Sequence, residues 1–280
     1  MGDVAGSPPI VVWESTTSLF EAPNWSPDGR WLVFNQEGDL YRIAPHAGAT
    51  PERITMDADI SVNNDHVISA DGRTLYVSAT DWHLYRLPFE GGVPRRISHE
   101  QPHRFMYFLH GVSPDERTVT FVSVQFDADG KRQPINTYTI PTTGGSLRRV
   151  TNWKFDDDGP EYSPDGAWIY FNSTYPSETP GHSRLCRMRP DGSSVEVIFE
   201  DERVNWFPHV SPDGRTIQYI TFPTGTLGHP ANLEVSLGCA DADGRNARDL
   251  YRFHGGQGTT NVNGWASDSR RFAYVAYPRG

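Results

Sequence analysis

Cysteine is scarce in this chain, with two in 280 residues, Cys186 and Cys239. They stand at different places in successive internal repeats and show no metal-binding spacing. That argues against a disulfide framework and leaves two free, buried thiols. Positive charge is also short. Lys and Arg number 25 against 35 Asp and Glu, a formal net charge of −10. No Lys/Arg stripe is present, so a duplex nucleic-acid surface is excluded as a partner. Much of the acidity comes from turn aspartates and serves solubility. No apolar run approaches the length of a membrane span. Met1 to Pro9 lack the basic and apolar regions of a signal peptide. A cytoplasmic location is therefore expected, or a periplasmic or secreted one if a signal has been removed. No segment reads as a helix longer than a turn or two. A Gly-x-Ser-x-Gly elbow and a readable Ser-His-Asp order are both missing, which removes the common serine-hydrolase readings.

What the chain has in quantity is turns, with 26 glycines and 22 prolines. Five of the turns form a series: Ser26-Pro27-Asp28-Gly29, Ser69-Ala70-Asp71-Gly72, Ser113-Pro114-Asp115-Glu116, Ser163-Pro164-Asp165-Gly166 and Ser211-Pro212-Asp213-Gly214, followed by a degenerate sixth copy at Ser267-Asp268-Ser269. The serines are 43, 44, 50, 48 and 56 residues apart. Pro presets φ at the second turn position, Asp suits the third and Gly relieves the fourth. A repeat of this period points to an array of small sheets, and first to a propeller.

Each turn leads into a β-branched and aromatic strand, such as Trp31-Leu32-Val33-Phe34 or Trp168-Ile169-Tyr170-Phe171. A third strand alternates, as in Leu40-Tyr41-Arg42-Ile43. A Gly-rich hairpin follows, and a charged fourth strand such as Arg95-Arg96-Ile97-Ser98 ends the unit. Charge on an outermost strand discourages edge pairing. The sixth copy contributes only two strands. The unpartnered stretch Ile10-Val11-Val12-Trp13 is the natural segment to complete it. The expected fold is thus all-β, one domain over residues 1–280, a six-bladed propeller of four-stranded antiparallel blades whose last blade is closed by the N-terminal strand.

In such a fold the strand before each turn lines the central channel, and here those strands are not uniform. Repeat two offers Asn63, Asn64, Asp65 and His66, and repeat three offers His110. Repeat four offers Asp156 to Asp158 and Glu161, and repeat five Trp206 and His209. Repeat six offers Gln257, Asn261 and Asn263. Counted back from the turn serine, His66 and His110 share one offset, and Glu161 and His209 share the next. Equal offsets on neighbouring blades place side chains around one axis. His229 lies in a long insertion, Phe222 to Asn232, of the kind that forms a rim over a channel.

The run Trp25-Ser26-Pro27-Asp28-Gly29, then Trp31-Leu32-Val33-Phe34, then Asp39-Leu40-Tyr41-Arg42-Ile43, resembles the TolB-type six-bladed propellers with WD-like repeats. The resemblance covers about Ile10 to Tyr277. It implies the fold and is nearly silent on activity. TolB carries an additional N-terminal α/β domain that has no counterpart in this sequence. The oligogalacturonate lyases are an enzymatic branch with a similar propeller, and they hold a divalent ion with His and Gln. Their His-Pro-His run would fall on Phe207-Pro208-His209, where Phe207 replaces the first histidine and only His209 carries over.

Three readings of the channel follow. His110, His209 and Glu161 form a candidate metal set for Mn, Zn or Ca. The alternative is metal-free chemistry, in which His66, His110, Glu161 and His209 act as acid, base or nucleophile-activating groups. Asn64, Asp65, Asp158, Trp206, His229, Gln257, Asn261 and Asn263 would then bind a ligand. In the third reading the histidines simply hold the ring together. The expected function is a His-rich funnel for a small molecule or oligosaccharide, carbohydrate or uronic-acid-like, with lyase-type chemistry if the protein is an enzyme. The competing expectation is a non-catalytic module that holds a protein partner.

Overall fold

The computed structural model describes residues 1–278. Five four-stranded antiparallel sheets follow one another along the chain, each a simple meander in which sequential strands are neighbours. Blade one is built from Phe20–Trp25, Leu32–Gln36, Asp39–Ile43 and Glu52–Ile54, and blade two from Val62–Ile68, Thr74–Ala79, Leu84–Pro88 and Arg95–Arg96. Blade three comprises Phe105–Val112, Thr118–Gln125, Asn136–Pro141 and Arg148–Arg149, and blade four Asp157–Tyr162, Ile169–Ser173, Arg184–Met188 and Glu196–Phe199. Blade five comprises Val204–Val210, Thr216–Phe222, Leu233–Asp241 and Arg248–Gly255.

The propeller therefore has five four-stranded blades, which corrects the expectation of six. The sixth turn is present, but the strands that would make a sheet around it are not. Among the described residues, the chain after blade five forms a two-stranded sheet of Arg271–Phe272 with Gly2–Asp3, plus a single bridge from Trp265 to Phe272. Residues 10–13, expected to pair here, take no strand conformation. The N-terminus reaches the sixth copy through Gly2 and Asp3 instead. Packing still closes the ring. Trp265 and Phe272 bury against blade five, while Ala266 and Ala273 bury against Trp25, Leu32 and Phe34 of blade one.

The repeated turn explains why the strands recur. In all five copies the Ser Oγ donates to the Asp carboxylate two residues on, at 2.6–2.7 Å. The same oxygen accepts the backbone N–H that opens the next strand, at 2.9–3.0 Å. One side chain thus closes the turn and starts the strand. Apolar faces of successive blades then stack. Leu40 meets Leu75 and Val77 between blades one and two, and Leu185 meets Val210 and Ile217 between blades four and five. Both cysteines are free and buried in their blades.

Every innermost strand bulges. The interruption falls between Glu21 and Asn24, Val62 and His66, Leu109 and Gly111, Asp158 and Glu161, and Trp206 and His209. A bulge twists a strand and re-aims its side chains. In three blades the bulge carries a left-handed residue: Ala22 at φ 56°, Gly159 at 61° and Phe207 at 52°. Glycine serves at 159 because a Cβ there would lie 2.8 Å from the Phe207 ring.

Candidate functional site

The bulges decide which polar residues face the channel. In blade two, Asn63, Asn64 and Asp65 together stand opposite Ser78 alone, and pairing resumes at His66 with Val77. Asn63, Asn64 and Asp65 therefore swing toward the axis, and His66 turns into the sheet. In blade three His110 is itself the extra residue between the pairs Leu109–Phe121 and Gly111–Thr120. In blade four the pairing of Asp158 with Asn172 ends at the bulge, so Asp158 sits on its upper lip and Glu161 below it.

A cavity of about 180 Å³ results, lined by Asn63, Asn64, Asp65, His110, Asp158, His229, Gln257 and Asn261, with Phe108 and Phe207 among its apolar members. Seven of the residues expected in the funnel meet here. Asp158 lies between two histidines: His110 Nε2 is 2.8 Å from its Oδ1 and His229 Nε2 is 3.5 Å from its Oδ2. Burial opposes ionisation of Asp158, but the bonds and charges of His110 and His229 outweigh it and hold the carboxyl well below the usual range. Burial likewise opposes protonation of His110. Asp158 and then Asp65 overcome it and raise the imidazole above its ordinary value. Asp65 goes the other way: burial, with the charge of Asp158 added, pushes it up to about 6 against the opposing charges of His110 and His229.

Several polar atoms at this site are buried without a hydrogen-bond partner among the described residues, including His110 Nδ1, His229 Nδ1 and Gln257 Oε1. Trp206 does not line the cavity. Its ring packs 4.4 Å from that of His229, and its Nε1 is also unpartnered. The insertion over residues 223–232 does form the rim, and the backbone N–H of Gln257 donates to Pro230 O at 3.3 Å. Phe207 stands where the lyase pattern has a histidine. It packs against His229 and is held by its amide, which donates to Asn172 Oδ1 at 3.1 Å.

His209, Glu161 and Asn263 form a separate, deeper cluster. His209 Nδ1 is 2.7 Å from Glu161 Oε2, and its Nε2 donates to Thr260 O at 2.8 Å. Glu161 Oε1 accepts Asn263 Nδ2 at 2.6 Å and the Val210 amide at 3.2 Å. Glu161 and Asn263 face a second cavity of about 400 Å³ on the turn side of the ring, to which residues of all six repeat copies contribute. His110 borders both cavities. The cluster thus borders the turn-side cavity, next to His110 where the two cavities meet.

His66 joins neither group. It is fully buried, with Nε2 3.3 Å from Val33 O, and burial pushes its pKa down to about 4. This is a histidine of the blade-one/blade-two contact.

The proposed metal set does not assemble. His209 and Glu161 meet each other, whereas His110 pairs with Asp158. Both ring nitrogens of His209 and both oxygens of Glu161 are already bonded within the protein, so binding an ion here would cost existing bonds. Among the described residues no group of three or more His, Cys, Asp or Glu is disposed to hold a metal. The aspartates at 156–158 separate as well. Asp156 caps the Ile135 amide, and Asp157 is buried under Trp153, Thr151 and Ser173.

Sequence reasoning overlooked Glu21. Its carboxylate receives the amides of Asn35 at 3.5 Å and Asn64 at 3.4 Å, just behind the funnel wall, and burial raises it above the usual carboxylate value. The signal was available, since Glu21 belongs to the inner strand of blade one.

Fold and funnel together define a β-propeller with a polar central channel. No family model matches the chain. The uncharacterized protein Atu1656 of Agrobacterium fabrum is 40% identical over 271 residues, covering 95% of this chain and 87% of its own. A solved structure from Agrobacterium tumefaciens, provisionally assigned as TolB, superposes with a TM-score of 0.89 at 37% identity, over 100% of this chain and 97% of that one. The chain belongs to this TolB-like propeller family. A structure of oligogalacturonate lyase in complex with manganese aligns with a TM-score of 0.56 at 12% identity, over 90% of this chain and 73% of that one, a likeness of fold alone.

Proposed function

We propose that the funnel cavity binds a small polyhydroxylated ligand, of carbohydrate type. One observation carries this reading: side chains from blades two, three and four, the rim loop and the segment after blade five converge on a single cavity and leave His110 Nδ1, His229 Nδ1 and Gln257 Oε1 without partners. Buried polar groups without partners are costly, and a bound ligand would supply them. The volume is below the roughly 300–1,000 Å³ of drug-sized pockets, so a monosaccharide unit suits it better than a long chain. Any proton-transfer role falls to His110. Its raised pKa favours the protonated ring, which suits it to donate a proton rather than abstract one. The metal-assisted lyase reading lacks its ligands here. The test is a thermal-shift screen of mono- and disaccharides with and without EDTA. A stabilising sugar is expected whose effect survives EDTA and is lost in His110→Ala. Absence of any stabilising sugar would sink the reading.

The second reading, a module for a protein partner, is favoured by a different place. An apolar groove of about 460 Å³ runs beside residues 10–13 and the C-terminal segment, with Ile10 and Val11 more than half exposed. A stoichiometric partner retained by the wild type and lost in Val11→Asp would support it.

A further inference from the structure

We infer that the ligand of this funnel carries a cationic amine, so that the site takes a small polyol bearing an ammonium group, such as an amino sugar, with Asp65 as its counter-charge. The inference rests on reading the funnel as a small-ligand site.

The argument begins with unmatched charge. Asp65 lines the cavity and is only 4% exposed. Among the described residues, the one side chain that donates to its carboxylate is the neutral amide of Asn63, at 3.0 Å. Asp158 differs, because it holds His110 and His229 in ion-pair contact. Among the described residues, no Lys or Arg lines the cavity. Behind the wall Glu21 adds a third carboxylate, met among the described residues by the amides of Asn35 and Asn64. Three carboxylates thus face two histidines. A buried carboxylate without a cation is unfavourable unless something supplies the charge. A cationic ligand would do so.

Gln257 and the two phenylalanine rings agree in sign, while His110 is matched by its own partner Asp158. Gln257 Oε1 is a buried acceptor with nothing to accept. Asn261 Oδ1 already takes the Gly258 amide. Phe108 and Phe207 present ring surface, which attracts cations and offers nothing to an anion. A uronate would bring a further carboxylate toward Asp65 and Asp158, with no Lys or Arg among the described lining residues to receive it. The likeness of fold to a lyase therefore does not extend to an acidic sugar at this cavity.

The experiment is titration calorimetry of the wild type and Asp65→Asn with the neutral, amino and uronic forms of glucose, galactose and mannose. An amino form is expected to bind at least about tenfold more tightly than its neutral counterpart, with the uronic form weakest. Asp65→Asn is expected to bring amino and neutral forms within about twofold, with a melting curve showing the variant folded. A neutral or uronic form binding as tightly as the amino form would overturn the inference while leaving the small-ligand reading intact. An amine preference that survives in Asp65→Asn would overturn the role given to Asp65. If none of the nine binds, the small-ligand reading fails and the inference falls with it.

Discussion

Two His–carboxylate pairs grow from one strand of blade four and reach opposite ends. Asp158 and Glu161 stand three residues apart, on either side of the bulge at Gly159 and Pro160. Their nearest histidine contacts are almost equal, 2.8 Å to His110 and 2.7 Å to His209. The lower pair is closed: every nitrogen of His209 and oxygen of Glu161 has a partner within the protein. The upper pair is open, with His110 Nδ1 unpartnered beside a cavity. Residue type does not separate a structural histidine from a functional one, and neither does an open nitrogen alone, since His66 Nδ1 is also unpartnered but borders neither cavity; an open nitrogen beside a cavity does. A closed network holds the ring together, and an open one can bind.

The largest expected effect breaks the closed pair. His209→Ala leaves Glu161 buried with its imidazole gone, and removing one partner of such a pair costs about 3–5 kcal/mol. Urea denaturation should show a loss of that size for His209→Ala and a clearly smaller one for His110→Ala. Equal losses would erase the distinction between the two clusters.

Next is a substitution that should stabilise the protein. Burial pushes Asp65 up to about 6 in the folded protein, against 3.8 for an unperturbed aspartate. Between those values the folded state holds the proton more tightly than the unfolded chain. The favourable contribution of the protonated form is complete below about pH 4, declines as pH rises, and is lost above about pH 6. Asp65→Asn removes this titration. At pH 7 the variant should be more stable than wild type by on the order of 2 kcal/mol, with the gap narrowing to near zero at pH 4. Urea titrations at four pH values would check it. A gap that does not change with pH would show that Asp65 carries no such penalty, and the open site would lose its sharpest electrostatic mark. Stability gained at the expense of binding is the usual signature of a functional site.

The distance between what the repeat foretold and what the chain builds has a physical origin at each point. The Ser-Pro-Asp-Gly turns made the meander legible, because one serine both closes the turn and opens the strand. They overstated the blade count, since a turn can persist without the strands around it. Trp265 and Ala266 occupy the places of Trp25 and Ser26, and Ser269 takes the left-handed fourth position at φ 56°. The sixth copy therefore keeps the turn's geometry while its sheet shrinks to two short strands. Equal offsets from the turn grouped Glu161 with His209 around one axis, and the two side chains lie 2.7 Å apart. The same count grouped His66 with His110 and failed. Blade two's bulge sets three inner residues against one, blade three's bulge is His110 itself, and bulge length is not written in a residue count. Glu21 went unnoticed because blade one offers no histidine to draw attention to its inner strand.

The smallest expected effect tests the rim. His229 comes from an insertion and contributes no backbone to any sheet, yet its Nε2 lies 3.5 Å from Asp158 and its ring packs on Trp206 and Phe207. Truncation should hardly disturb the fold, because the side chain is a quarter exposed and the loop keeps its backbone bond from Gln257 to Pro230. His229→Ala is therefore expected to change stability by no more than about 0.5 kcal/mol. Ligand affinity should fall about tenfold, since the open pair loses its second histidine and Asp158 is left with His110 alone. Calorimetry and urea denaturation on the same preparation would separate the two quantities. A stability loss comparable to that of His209→Ala, with affinity unchanged, would move His229 into the closed class and leave the open site with one histidine fewer.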